Sequence, residues 1–564
     1  MGSSATFTSQ APNHDSRHND RAPWSSRRYA LKPRHAAACA VLAGLFLVLN
    51  YVPLRQTDLW SHVALGQWIT RHGRLPAEDP LLPLAEGMPL VDSAWLSQVI
   101  LAKVVSRGGA VWLSNLFAMV VLVTTLFWAR THYLRTRRFG TTAVATALTL
   151  VFGFSRLATM RPEIFGGLCF ALLLWMLAQG SPDDRNHPLR LAPPESWSPR
   201  WFFLPALFAL WANLHGSMIV GFAVLGCCVV GEAIEVLWQQ RRILAVLADR
   251  TTRRWIVLTE LCLAASLLNP YGGGLLVHVF TFAHHPAIAV ISEWQPLVVL
   301  GVGGREFALS LVVLLVVFRQ SRRRVLPTEV LLLAVFAVAA VMHVRMLTWY
   351  APVVMLVLAP HLADISSRLV WPSRRRRAAA RDRAASAGFV WAPTLVAGLM
   401  VWIAFALSGC GQALLGGQPR AAARLYSQDT PRGLTSYLDR HPAEGLVFNP
   451  QWWGDWLVWR GPEHLQVFMT SQMHMVPPHV WHDYQRVVNA RPGWQVTLKR
   501  YAVSTVIVDP RREPWLAAAI SREDGWTLAY QDEQAQLFRR TMQAPPVAGT
   551  PSGLKTAANA IASR

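Results

Sequence analysis

Long apolar stretches separated by short polar connectors recur along this 564-residue chain and decide what it can become. A helix needs about 20 mostly apolar residues to cross a bilayer, and fewer when packed inside a bundle. Runs that meet this need lie at roughly 36–54, 110–130, 141–159, 164–180, 202–217, 218–238, 255–269, 305–319, 328–342, 347–363 and 390–410. The expected architecture is an α-helical polytopic membrane protein with about eleven transmembrane helices. The segments 96–107 and 274–292 read as interfacial helices. With 52% hydrophobic and only 15% charged residues, the composition argues against a large soluble enzyme. The 25 tryptophans suit membrane–water interfaces.

Lys and Arg total 54 against 32 Asp and Glu, a net charge of +22. In a soluble protein this excess would suggest nucleic acid. Here it sits in short runs between apolar spans: Arg27 to Arg34, "RTRR" at 135–138, Arg185 and Arg190, "QQRR" at 239–242, "RQSRRR" at 319–324 and "SRRRRAAARDR" at 373–383. With the N-terminus inside, every run falls on the cytoplasmic face, so the charge reports topology and no nucleic-acid partner is expected. Residues 1–35 read as a disordered basic cytoplasmic tail, ahead of an anchored first helix with no cleavage site behind it. Residues 36–415 read as the transmembrane domain, with a first external loop at 55–109. From 420 to 542, "GLVFNP", "QVFMTSQ", "STVIVDP" and "WTLAYQDEQAQLFRR" alternate with helix-like stretches at 431–440 and 513–521. This reads as a small extracytoplasmic α/β domain, followed by a disordered tail at 543–564. The six cysteines include no C-x-x-C pair and read as small buried residues.

The opposite face collects the polar exceptions. Asp58, His62, Glu78, Asp79, Asp92 and Trp95 lie in the first loop; "MRPE" (160–163), "WANLHGS" (211–217), "LNPYG" (268–272), "ISEWQP" (291–296) and "MHVRM" (342–346) lie at span ends. Ionisable groups at membrane depth cost about 2.5–3.5 kcal/mol each and mark functional cavities. Their convergence on one face is an active-site pattern.

Asp58 and His62 are spaced i, i+4 and share a face if this stretch is helical. Asp58 then serves as general base toward an acceptor hydroxyl, with His62 orienting it; the alternative is a local hydrogen bond closing the loop. Glu78 and Asp79 lie between Pro76 and Pro80, so a turn role competes with metal or substrate contact. Arg161 and Arg345 can bind a lipid phosphate, or else pair with Glu163 or Glu293. His343, two residues from Arg345, can face the same ligand, and His215 can bond a sugar or the loop carboxylates. "QWWGDW" (451–456) reads as a sugar-stacking surface or as a half-buried strand edge. There is no G-x-x-x-x-G-K-[ST], H-E-x-x-H or G-x-S-x-G motif, which leaves nucleotide hydrolysis, zincin proteolysis and α/β-hydrolase chemistry unsupported.

The segments "TDLWSHVALGQWITRHGRLPAEDP", "VDSAWLSQVI", "MRPEIFGG", "WANLHGSMIVGF", "LNPYG" and "ISEWQP" resemble the GT-C class of polytopic glycosyltransferases. The likeness is to bacterial members related to the protein-mannosyltransferase and aminoarabinose-transferase branches, and covers roughly 50–420. The resemblance implies an inner-membrane enzyme that moves a sugar from a polyprenyl-phosphate donor to a glycan, lipid or protein acceptor on the extracytoplasmic face. It also implies an acidic base in the first external loop, where Asp58 is the matching position. Relatives often show an acid pair there, whereas this chain has Asp58–Leu59, which leaves a divalent cation (Mg or Mn) open. "MTSQMHM" departs from the acidic-and-Arg turn of relatives at 469–475. A lipid-linked-sugar flippase and a non-catalytic glycan-binding relative are the competing readings; the absence of an internal repeat argues against the flippase.

Overall fold

The computed structural model describes residues 30–55, 58–153, 159–179, 191–195, 198–282, 291–369, 391–418 and 420–541. Apart from 30–35, the two expected tails lie outside the described residues, as do Arg185, Arg190, the 373–383 run and part of the 274–292 segment.

The chain forms two compact units, Met1–Gly44 with Pro372–Ala404, and Leu45–Trp371 with Phe405–Arg564. The first holds most of α1 (Pro33–Tyr51) and of the late helix Ala392–Leu407, where the Leu31 N–H donates to Thr394 Oγ1 at 2.9 Å. The second carries the site. Its longer helices are α2 (Leu59–His72), α3 (Trp95–Thr136), α4 (Phe139–Phe152), α5 (Glu163–Leu177), α6 (Arg200–Leu214), α7 (Met218–Gln240), α8 (Arg250–Ser266), α9 (Gly273–Phe282), α10 (Gly304–Gln320), α11 (Pro327–Met342) and α12 (Leu347–Leu369).

The protein is predominantly helical and membrane-embedded, and the described residues do not confirm the count of eleven spans. Among the described residues, four helical stretches are long and apolar enough to cross a bilayer: Pro33–Tyr51, Trp95–Thr136, Met218–Gln240 and Val344–Leu369. Five further apolar helices have 10–17 residues. α8 and α10 stop at 17 residues each and carry Arg or Glu within them, which lowers their apolar character. The expected interfacial helix 96–107 and the span after it are one 42-residue helix, broken at Gly109, whose φ of 67° a side chain would resist. α2 lies so close to the start of α3 that a Cβ on Gly66 would sit 2.0 Å from the Gln98 carbonyl oxygen.

The expected C-terminal α/β region is present. Its five-stranded sheet has the order β2-β1-β3-β5-β4, from β1 (Leu446–Phe448), β2 (Gln466–Val467), β3 (Thr505–Val508), β4 (Trp526–Gln531) and β5 (Gln536–Arg540). β1 runs parallel to β2 and β3, while β5 is antiparallel to β3 and β4. The central strand β3, Thr-Val-Ile-Val, is buried throughout, as an interior strand covered on both faces must be. Helices α13 (Arg432–Arg440), α14 (Gln451–Arg460), α15 (Pro478–Val488), α16 (Trp494–Arg500) and α17 (Pro514–Ile520) connect and cover it. The reading of 451–456 as a strand edge is corrected: "QWWGDW" opens α14, where Trp453 and Trp456, at i and i+3, turn into the core.

Two contacts tie this region to the first external loop. Leu54 pairs with the 425–427 backbone through Leu54 N–H to Leu425 O (2.8 Å) and Ser427 N–H to Leu54 O (2.9 Å). Fully buried Trp60 stacks on Trp459 with ring centroids 4.4 Å apart at 17°, and meets Trp456 edge-on.

Candidate active site

Asp58 precedes α2 at the position where an aspartate usually caps the helix. Its side chain makes no capping bond, so the carboxylate is left for other partners. It turns to Arg161, whose Nε lies 3.0 Å from Asp58 Oδ1. Arg161 and Glu163 enter together at the start of α5, with Glu163 in the first turn where the helix dipole favours an anion. Arg161 Nη1 also grips both oxygens of Glu293, at 2.9 and 2.7 Å.

Glu293 sits in the single turn Ser292–Trp294. That turn is pinned to the junction of α11 and α12: the Val344 N–H donates to Gln295 O at 3.2 Å, and His343 Nδ1 lies 2.6 Å from Trp294 O. Arg345, on the same junction, lies over the Trp294 ring at 4.4 Å from its centroid. Its approaches to carboxylates are longer, 3.6 Å to Glu163 and 4.0 Å to Glu293. Asp58, Arg161, Glu293, Arg345 and Glu163 thus form one line of alternating charge delivered by four separate segments.

His62 falls on the Asp58 face of α2, with Nε2 3.9 Å from Asp58 Oδ2. Burial lowers its pKa, and the charge of Asp58 only partly opposes this. Arg161 is shifted the other way, held charged first by Asp58 and then by Glu293. His215 ends α6 in an extended conformation, and its Nδ1 accepts from the Ser217 N–H at 3.1 Å. All these residues line a cavity of about 1170 Å³.

Glu78 and Asp79 do not line it. Glu78 accepts from the Gly87 N–H at 3.0 Å and Asp79 from the Leu81 N–H at 2.8 Å, so both serve the turns of the loop.

Three contributors were not singled out as site residues from the sequence. Asp92 accepts from the Ala94 N–H in the turn just ahead of α3, and burial raises its carboxyl to about 7. Gln98, one turn into α3, reaches both Asp92 and His62. Asp455, from the C-terminal region, is fully buried beside the cavity and accepts from Ser471 Oγ at 2.9 Å and from the Ser471 N–H at 3.2 Å. Burial lifts its carboxyl to about 7. An acid within the aromatic run "WWGDW" was the one available signal for Asp455.

Among the described residues, no group of three or more His, Cys, Asp or Glu side chains could hold a metal ion. Asp58 and Glu293 are both committed to one guanidinium, so this donor set does not suit a divalent cation.

No protein-family model and no curated relative matches the sequence. Among solved structures, the chain is similar to the oligosaccharyltransferase of Archaeoglobus fulgidus in its apo form, at 12% identity and a TM-score of 0.50, over 91% of this chain and 75% of that one. It is also similar to ArnT from Cupriavidus metallidurans in the apo state, at 12% identity and a TM-score of 0.45, over 89% of this chain and 97% of that one. The first likeness is one of fold, and it agrees with the fold that the sequence resemblance implies.

Proposed function

We propose that this membrane protein, with its GT-C fold, transfers a sugar from a polyprenyl-phosphate donor to an acceptor hydroxyl on the extracytoplasmic face. The observation that carries the reading is the line of alternating charge along one cavity wall, with a carboxylate at one end and a loosely held guanidinium near the other. Asp58 accepts the proton of the acceptor hydroxyl as its oxygen attacks the anomeric carbon. The bond from that carbon to the phosphate oxygen breaks, and Arg345 takes up the charge of the departing lipid phosphate.

Topology supports the same reading. The cavity residues lie at the starts of α3, α5 and α12 and the ends of α6 and α11. The basic runs lie at the other ends, where Arg135 and Arg323 meet Glu329 at 3.0 and 2.9 Å. That end is the cytoplasmic one by the positive-inside bias, with the N-terminus inside and the C-terminal region outside.

The test is purified protein in lipid with a radiolabelled polyprenyl-phosphate sugar and candidate acceptors. Transfer of label supports the enzyme. Facilitated crossing of the donor in liposomes without transfer would favour a flippase, and saturable binding alone a non-catalytic glycan-binding protein.

A further inference from the structure

A chain of side chains stands behind Asp58. Gln98 is buried on the first turn of α3, and its amide nitrogen meets two groups at once: Asp92 Oδ1 at 3.0 Å and His62 Nδ1 at 3.1 Å. An amide nitrogen carries two hydrogens and does not accept, so it donates to both. The amide is not free to turn over, because its oxygen would then face Asp92 Oδ1, which already accepts from the Ala94 N–H at 2.9 Å. Among the described residues the Gln98 amide oxygen has no hydrogen-bond partner, so the nitrogen alone sets the orientation. His62 Nδ1 is therefore an acceptor, and the proton of the neutral ring lies on Nε2. Nε2 is the nitrogen turned toward Asp58, 3.9 Å from Oδ2.

We propose that Gln98, anchored by Asp92, is a positioning residue that fixes His62 as its Nε2–H tautomer, so that the imidazole presents a donor to the Asp58 carboxylate. The other tautomer would set a nitrogen lone pair against that carboxylate and leave it no donor on that side. Burial, which keeps His62 neutral, makes the choice of tautomer decisive. The effect on turnover rests on Asp58 being the base; the tautomer does not.

The experiment uses full-length protein with isotope-labelled histidine in lipid nanodiscs, the His62 resonances being assigned by their loss in His62→Gln. The wild-type ring should show nitrogen and carbon shifts of the Nε2–H form. Gln98→Glu replaces the donor with an acceptor, and should move His62 to the Nδ1–H or doubly protonated form while transfer falls on the order of a hundredfold. A wild-type His62 in the Nδ1–H form overturns the proposal, and this spectrum decides even where a variant fails to fold. An unchanged tautomer in a folded Gln98→Glu protein overturns it too. If Asp58→Asn retained transfer while the tautomer behaved as expected, the reading of Asp58 as base would fail and the assignment to Gln98 would stand.

Discussion

Arg161 lies 3.0 Å from Asp58, Nε to Oδ1, so the carboxylate read as the base is already paired with a cation before any substrate arrives. A second carboxylate, Glu293, holds the same guanidinium at 2.7 Å. Arg161 is thereby a fixed part of the wall. Arg345, at 3.6 and 4.0 Å from its carboxylates, is held less closely, as the proposed contact with a lipid phosphate asks of it.

Asp58→Asn keeps the shape of the side chain and removes its ability to take a proton. Transfer should fall by about 10²–10⁴-fold, the usual worth of a general base. Expression and thermal midpoint should change little, because Glu293 still holds Arg161. Initial rates with the labelled donor, beside a thermal-shift curve, check both halves.

The two arginines should separate by kind of defect. Arg345→Met should raise the KM for the lipid-linked donor at least about tenfold, a loss of about 1.4 kcal/mol, with the fold intact. Arg161→Met leaves Asp58 and Glu293 without their shared cation and should cost about 1–3 kcal/mol of stability besides activity. A Michaelis series and thermal unfolding of both variants distinguish the two outcomes.

Asp92 and Asp455, both outside the membrane-spanning helices, carry carboxyls raised to about 7 by burial. The folded state then binds more protons than the unfolded one between the ordinary carboxyl pKa near 4 and pH 7. Stability contributed by each group is full below that window and is lost as pH rises through about 7. His62, with its pKa lowered, works in the opposite sense below its ordinary value. The thermal midpoint of Asp92→Asn should therefore fall less between pH 5 and 8 than that of wild type. Equal slopes would show that Asp92 titrates normally.

Trp60 is wholly buried between the first external loop and α14, stacked on Trp459. Trp60→Ala should destabilise this junction by about 3–5 kcal/mol, the range for emptying an aromatic site. Faster limited proteolysis near residues 415–430 would report it, and transfer should drop with it because Ser61 and Asp58 share that stretch.

Much of this was legible in residues whose surroundings are local. Asp58 and His62 share a face because four residues make about one helical turn, and the sheet strands followed from runs such as "STVIVDP". The segments bearing Arg161, Glu163, Glu293 and Arg345 were named from the cost of charge at membrane depth. Which carboxylate takes which arginine depends on the packing of distant helices, and no spacing in the chain encodes it. The same holds for Asp455, nearly 400 residues from Asp58. For Glu78 and Asp79 a turn role competed with substrate contact, and backbone N–H groups of the loop hold them. Helix 451–460 was misread because its tryptophans suit a strand as well as a helix, and only burial against Trp60 decides between the two.

The backbone stitch between Leu54 and residues 425–427 lies only four positions ahead of Asp58. The root of the C-terminal region and the root of the first loop are hence bonded backbone to backbone at one point. A chain cut before residue 420 would keep Asp58 in its sequence and lose both backbone bonds at Leu54.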